Sequence, residues 1–174
     1  MNKPELLAPA GSLDKGKLAL LYGADAIYLG GKAFGLRAFA ANFSLDEIRE
    51  ICAFAHERGK RVYVTVNIFP HNSDLPALPD YLRSLEAAGV DALLISDLGV
   101  WATAREVIPN MHLHVSTQAN TTNYATAQAW EKLGASRVVL ARELSLEEIR
   151  QIRQKTRLKI YTDWAKRPLD AGPR

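Results

Sequence analysis

Amides, carboxylates and one arginine gather where the apolar runs of this chain give out. Asn67 lies near the end of the run 61–68, and Ser96-Asp97 ends the run 92–97. Ser116-Thr117-Gln118-Ala119-Asn120 follows the run that starts at His112, and Arg142-Glu143 ends the run 137–143. Asp97 suits a general acid or base, and is equally placed to cap the next helix; Asn67 is the second candidate for a catalytic role. Gln118 and Asn120 carry amides fit to hydrogen-bond a base or a polar substrate, although Asn120 is also placed to cap the helix after it. Arg142 either pairs with Glu143 or turns toward an anionic group such as a phosphate or carboxylate. Gly30-Gly31 lets a backbone or a ligand come close, and Arg37 and Asn42, in the long loop that follows, can cover the same place. Gly30, Gly31, Arg37, Asn42, Gln118, Asn120, Arg142 and Glu143 are the expected substrate contacts.

Other chemistry lacks its residues. There is no His-Glu-x-x-His zinc motif, no Gly-x-Ser-x-Gly elbow and no Walker phosphate loop. His112 and His114 share one side of a strand but have no third ligand at a telling spacing, so no metal site is expected. Cys52 is the only cysteine. It lies among Ile48, Ile51 and Ala55 on a helical face, as a buried packing thiol would, and one thiol neither forms an internal disulfide nor holds an iron–sulfur cluster, which usually takes four thiolates.

The elements that must position these residues follow a strand–helix rhythm. Seven runs rich in β-branched and apolar residues, 5–10, 26–31, 61–68, 92–97, 112–117, 137–143 and 159–163, alternate with amphipathic stretches. Such alternation implies parallel strands joined by helical crossovers, with a repeat of roughly 25 residues. Ser12, Ser44 and Ser145 stand at N-cap positions, and Glu47 and Glu148 complete capping boxes for the last two. Gly23, Gly59, Gly89 and Gly134 fall just after helical runs, where positive φ is needed. The expected fold is α/β, a parallel (β/α) TIM-type barrel, incomplete at about seven strands. A complete barrel typically needs about 250 residues; this chain has 174. In such a barrel the polar strand ends share the active-site face. Residues 1–163 are expected to form the partial barrel and 164–174 a disordered tail. Open edges on the first and last strands favour self-association, so a homo-oligomer is expected.

Composition is that of a globular protein, 48% hydrophobic and 24% charged. No apolar run reaches the length of a membrane span and the start lacks a signal-peptide core, so a cytoplasmic protein without membrane contact is expected. Net charge is +3 but uneven: from Leu144 onward eight Lys/Arg face four Asp/Glu. A basic end either attracts nucleic acid or is a solvated helix face.

Several long motifs, in order, carry a resemblance. Pro4-Glu-Leu-Leu-Ala-Pro-Ala-Gly-Ser12, Tyr22-Gly-Ala-Asp-Ala-Ile-Tyr-Leu-Gly-Gly31, Leu36-Arg37 with Asn42-Phe43-Ser44, Tyr63-Val-Thr-Val-Asn67, Ser116-Thr-Gln-Ala-Asn120 and the stretch from Val139 to Glu148 resemble the collagenase-like peptidase family, peptidase family U32. The likeness runs from Pro4 to about Ile160. The family name implies a peptidase, a hydrolase, yet the residues supply neither a nucleophile nor a dyad for peptide hydrolysis. The resemblance implies instead RNA hydroxylation, at a wobble uridine of tRNA or a cytidine of ribosomal RNA; other members act in ubiquinone hydroxylation. His71-Asn72 and Arg142-Glu143 favour the tRNA branch, so tRNA or another RNA is the expected partner. For full-length relatives the resemblance implies an iron–sulfur cluster held by later cysteines. At Thr162-Asp163-Trp164 this chain leaves the family pattern and has no later cysteine. It is therefore expected to be an N-terminal fragment, with no cofactor of its own and inactive alone. A peptidase, or a non-catalytic half-barrel that binds RNA or a partner, are the competing expectations.

Overall fold

The computed structural model describes residues 4–35 and 42–162. Seven strands alternate with six α-helices among them: β1 (Leu7–Pro9), α1 (Leu13–Leu21), β2 (Ala26–Gly30), α2 (Leu45–His56), β3 (Arg61–Val66), α3 (Leu78–Ala87), β4 (Ala92–Ile95), α4 (Leu98–Val107), β5 (His112–Val115), α5 (Tyr124–Lys132), β6 (Arg137–Val139), α6 (Leu146–Lys155) and β7 (Lys159–Tyr161). Single 3₁₀ turns cover Leu75–Ala77 and Thr117–Ala119. Expected residue 163 and the tail 164–174 lie outside the described residues.

Packing divides the chain into two compact units, Met1–His112 and Leu113–Arg174. In the first, β1 to β4 pair in parallel and in chain order, with Ile27 opposite Val62 and Val64 opposite Leu93. In the second, Val115 stands opposite Val138 and Val138 opposite Ile160, again in parallel. Every residue of β4 is buried, as expected for a parallel strand covered on both faces. The core of the first unit joins Ile27, Val62 and Val64 to Ile48, Ile51, Leu82 and Leu85 from the helices; that of the second joins Leu113, Val115 and Val138 with Ala127 and Ile152.

Helices start where the sequence says. Ser44 and Ser145 form complete capping boxes with Glu47 and Glu148, and Ser12 accepts from Lys15 N. Four of the six ends, those of α1, α2, α3 and α5, share one device. Gly23, Gly59, Gly89 and Gly134 all have positive φ, between 64° and 105°. The N–H that follows each glycine donates back over the last turn: Ala24 to Ala19 O, Lys60 to Ala55 O, Val90 to Leu85 O and Ala135 to Trp130 O. These bonds satisfy carbonyls that a helix end leaves orphaned.

The next residue enters the sheet. Asp25 N donates to Leu6 O, Asp91 N to Val62 O and Ser136 N to Leu113 O. Their side chains repeat the grip, since Asp25 Oδ2 accepts from Leu6 N at 2.9 Å, Asp91 Oδ2 accepts from Val62 N at 2.8 Å, and Ser136 Oγ donates to Leu113 O at 3.1 Å.

The strands are shorter than their apolar runs. Asn67 and Ile68 donate to Phe34 O rather than continuing a ladder, and Ala141 donates to Thr121 O. The chain leaves the sheet where loops compete for its N–H groups. Among the described residues no helix is long and apolar enough to cross a membrane.

Cys52 is buried on α2, and burial pushes its thiol up to about 12. It should resist a disulfide reagent at pH 8 in the native protein and react promptly in denaturant; fast native labelling would contradict this packing. Replacing Ser44 by Ala removes a cap and should lower unfolding free energy by roughly 1 kcal/mol, read by chemical denaturation.

Candidate functional site

In the first unit the polar strand ends meet at β2, β3 and α3. The long segment after β2 turns back on itself: Phe43 N donates to Gly30 O at 2.9 Å, and Lys32 N to Phe43 O at 3.1 Å. That return carries Asn42 to the end of β2. A Cβ on Gly30 would stand 3.3 Å from Asn42 Oδ1 and 3.5 Å from Thr65 Oγ1, so these three positions converge. Thr65 Oγ1 donates to Leu29 O.

Gly31 is held more tightly. A Cβ there would collide with the hydroxyl of Tyr81, which comes from α3. The Tyr81 ring stacks on Phe34, with centroids 5.1 Å apart and planes 30° apart. Phe34 itself has φ of +57°, a conformation that non-glycine residues adopt sparingly. Its carbonyl accepts from both Asn67 N and Ile68 N, at 3.1 and 3.3 Å. The segment after β2 is thus fastened to the end of β3 and to α3.

The Tyr81 Oη is buried and has no hydrogen-bond partner among the described residues. Loss of hydration holds its proton on, with the pKa pushed up to about 12. A buried hydroxyl without a partner costs roughly 1–3 kcal/mol, and such groups call for a reason.

Asn67 is half-buried at the end of β3. Its N–H is taken by Phe34 O and its carbonyl by Ser96 Oγ at 3.5 Å. These contacts fix its backbone, and its side-chain amide makes no hydrogen bond among the described residues. Asp97 is the N-cap of α4: its Oδ1 accepts from Val100 N at 3.0 Å. Gly30, Gly31, Asn42 and Asn67 are therefore gathered, and Asp97 stands at the next strand end with one oxygen engaged. Arg37 lies outside the described residues.

In the second unit, Ser116 is buried after β5 and its Oγ accepts from Gln118 N. Gln118 and Asn120 are exposed. Of the two roles open to Asn120, the capping of α5 is not what it does. Asn120 ends the 3₁₀ turn at φ of +50°, and the cap of α5 is Asn123, whose Oδ1 accepts from Thr126 N at 2.9 Å. The 3₁₀ turn after β5 uses up the residues that would have brought Asn120 to the helix start. Thr121 is fully buried, its Oγ1 without a partner among the described residues, while its carbonyl accepts from Ala141 N. Arg142 and Glu143 are exposed just beyond that tie. His112 is exposed and His114 buried, and among the described residues no group of three His, Cys, Asp or Glu side chains is placed to hold a metal.

Tyr81, Phe34, Thr65 and Thr121 are absent from the expected site. Tyr81 and Phe34 meet across a large sequence separation, so no local pattern marks them. The one available signal is Gly31, a small residue where something must come close.

The match to known proteins fits this architecture. The model of peptidase family U32 covers residues 11–162. The chain belongs to peptidase family U32. Among U32-like relatives, "tRNA hydroxylation protein P1" of Bacillus subtilis (strain 168) is 47% identical over 91% of this chain and 38% of that protein. "tRNA hydroxylation protein P" of Escherichia coli (strain K12) is 45% identical over 88% of this chain and 34% of its own length. The "23S rRNA 5-hydroxycytidine C2501 synthase" of the same organism is 40% identical over 89% of this chain and 23% of its own. This chain thus spans little more than a third, or less, of these relatives. The solved structure of the U32 peptidase Mk0906 superposes with a TM-score of 0.77 at 17% identity, covering 93% of this chain and 69% of that one. A 3-hexulose-6-phosphate synthase from Salmonella typhimurium gives 0.65 at 22% identity, over 86% and 72%. These likenesses show the fold, an incomplete parallel (β/α) barrel of the TIM type.

Tyr81→Phe removes only the orphan oxygen and should raise unfolding free energy by about 1 kcal/mol. Gly31→Ala should cost roughly 1–3 kcal/mol by overpacking, and Tyr81→Phe should restore part of that loss in the double variant. Denaturant melts of the four proteins check this; additive effects would mean the two residues do not share the space.

Proposed function

We propose that this U32 chain serves in RNA hydroxylation, at the wobble uridine of tRNA. The observation that carries the reading is its 47% identity, over 91% of its length, with a tRNA hydroxylation protein. The first unit offers a matching chemistry. The Asn67 and Asn42 amides present donors and acceptors suited to the edge of a pyrimidine, and the Gly30-Gly31 backbone admits a flat ligand. Phe34 and Tyr81 brace that backbone from behind. Asn67 orients the base in this reading, and Asp97, with one oxygen committed to its helix, has the other for a proton. In the second unit, Gln118 and Asn120 contact bound RNA and Arg142 its phosphate, with Glu143 beside it. A tRNA substrate places the protein in the cytoplasm.

An iron–sulfur cluster does not fit the residues of this chain. The lone thiol, Cys52, is buried and held protonated, and the described residues assemble no alternative ligand set. The same protonated thiol argues against Cys52 as a peptidase nucleophile, since the thiolate is the reactive form.

A segment swap tests the reading. Residues 4–162 of this chain replace the corresponding segment of the Bacillus subtilis relative, in a strain lacking its own tRNA hydroxylation proteins. Mass spectrometry of tRNA nucleosides should show 5-hydroxyuridine restored, and Asn67→Ala in the swap should lower it at least tenfold, about 1.4 kcal/mol of transition-state stabilisation. A well-expressed swap that leaves 5-hydroxyuridine absent would sink the proposal.

A further inference from the structure

The two units treat their cations differently. In the first, Lys17, Arg49, Arg58, Lys60, Arg61 and Arg83 each stand within ion-pair distance of a carboxylate. In the second, Arg150 pairs with Glu147, but Lys132, Arg153, Lys155, Arg157 and Lys159 are exposed and form no ion pair among the described residues. Several of them border one concavity. An open groove of about 550 Å³ lies between α5 and α6, lined by Gln128, Lys132, Lys155, Thr156 and Arg157, with Glu131 among them.

The groove is built rather than incidental. Gln128 Nε2 donates to Lys155 O at 2.8 Å and so joins α5 to the end of α6. Glu131, the one acid in the lining, is engaged by that same connection: its Oε2 accepts from Thr156 Oγ1 at 2.7 Å and from Arg157 N at 3.2 Å. At the far end of α5, Tyr124 is half exposed, and Lys155 Nζ sits 6.0 Å from its ring centre.

Helix ends alone do not account for this charge. Lys132 sits in the last turn of α5, and Arg153 and Lys155 in the last turn of α6. Each helix C-terminus carries about half a negative charge, so two ends and Glu131 offset only about two of the five cations. The remainder faces solvent beside amides and an exposed aromatic ring. Unmatched cations, neutral donors and an aromatic ring are what a nucleic-acid strand meets on a protein surface.

We propose that the groove between α5 and α6 binds the phosphate backbone of RNA, with Lys132, Lys155 and Arg157 as the phosphate contacts and Tyr124 as a stacking surface. The choice of RNA among polyanions rests on the RNA-hydroxylation reading. The contacts are to phosphate, so they hold RNA in place without reading its sequence.

The test is fluorescence anisotropy of a labelled RNA hairpin with the purified 174-residue chain, titrated at several salt concentrations. A triple variant, Lys132→Glu, Lys155→Glu and Arg157→Glu, is compared with a control of equal charge change, Lys15→Glu, Arg49→Glu and Arg83→Glu. Circular dichroism checks that both fold. The groove variant should lose at least tenfold in affinity at about 0.1 M salt, and its slope of log affinity against log salt should flatten by about 2, near 0.7 for each lost phosphate contact. The control should keep most of its affinity and its slope. Equal losses in both variants, an unchanged slope in the groove variant, no binding by the unaltered chain, or displacement of the hairpin by poly-glutamate at equal charge would each overturn the proposal. The nucleoside measurement in the segment swap is independent of this outcome, so the two readings fail separately.

Discussion

The hydrogen bond that closes the turn after α1, α2, α3 and α5 sets the height at which the next strand begins. After Gly23, Gly59, Gly89 and Gly134 the chain donates back across the final helical turn. At Asp25, Asp91 and Ser136 it then takes hold of the preceding strand through both backbone and side chain. A left-handed residue at the first position and a short acceptor or donor two residues later are the only requirements. Because the device recurs before β2, β3 and β4, these strands of the first unit start in register, and their apolar residues fall at common levels in the core. The site inherits that register: Gly30 and Thr65 are neighbours across the β2–β3 ladder because Ala26 and Arg61 were.

Where strands end, the chain does the reverse and spends backbone groups on irregular contacts. Phe34 occupies an uncommon backbone region to give its carbonyl to two amides of β3. Tyr81 puts a hydroxyl where it finds no partner among the described residues, against a glycine that has no side chain to yield. Local rules are broken together here and once more after β5, where Asn120 has positive φ and Thr121 buries its hydroxyl. That concentration is the usual mark of a region shaped for something other than stability.

Much of the framework was legible because its signals are local. A serine with a glutamate three residues on, or a glycine after an apolar helical face, acts within one turn of chain, and Ser44, Ser145 and the four glycines behave as their neighbours dictate. Strand ends were overrun because apolar character outlasts pairing: Ile68 is apolar, yet its N–H answers to Phe34. Asn120 and Asn123 are alike in type, and only the 3₁₀ turn between β5 and α5 decides which of them caps. Tyr81 was invisible as a site residue because its position on α3 fits an ordinary helix, and its meeting with Gly31 depends on tertiary packing alone.

The connections at the two ends of the strands differ in kind. Those from helix to strand are nearly uniform: 22–25, 57–60, 88–91, 108–111 and 133–136 are four residues long and 156–158 is three. Those from strand to helix range from the two residues 96–97 to the segment 31–44. A scaffold divided in this way separates what must be inherited from what is free to diverge. One end keeps time for the fold, and lineages can lengthen, shorten or reletter the other end without disturbing it. New substrates in such a family would then arise by editing a single rim, with the tempo of the barrel left untouched.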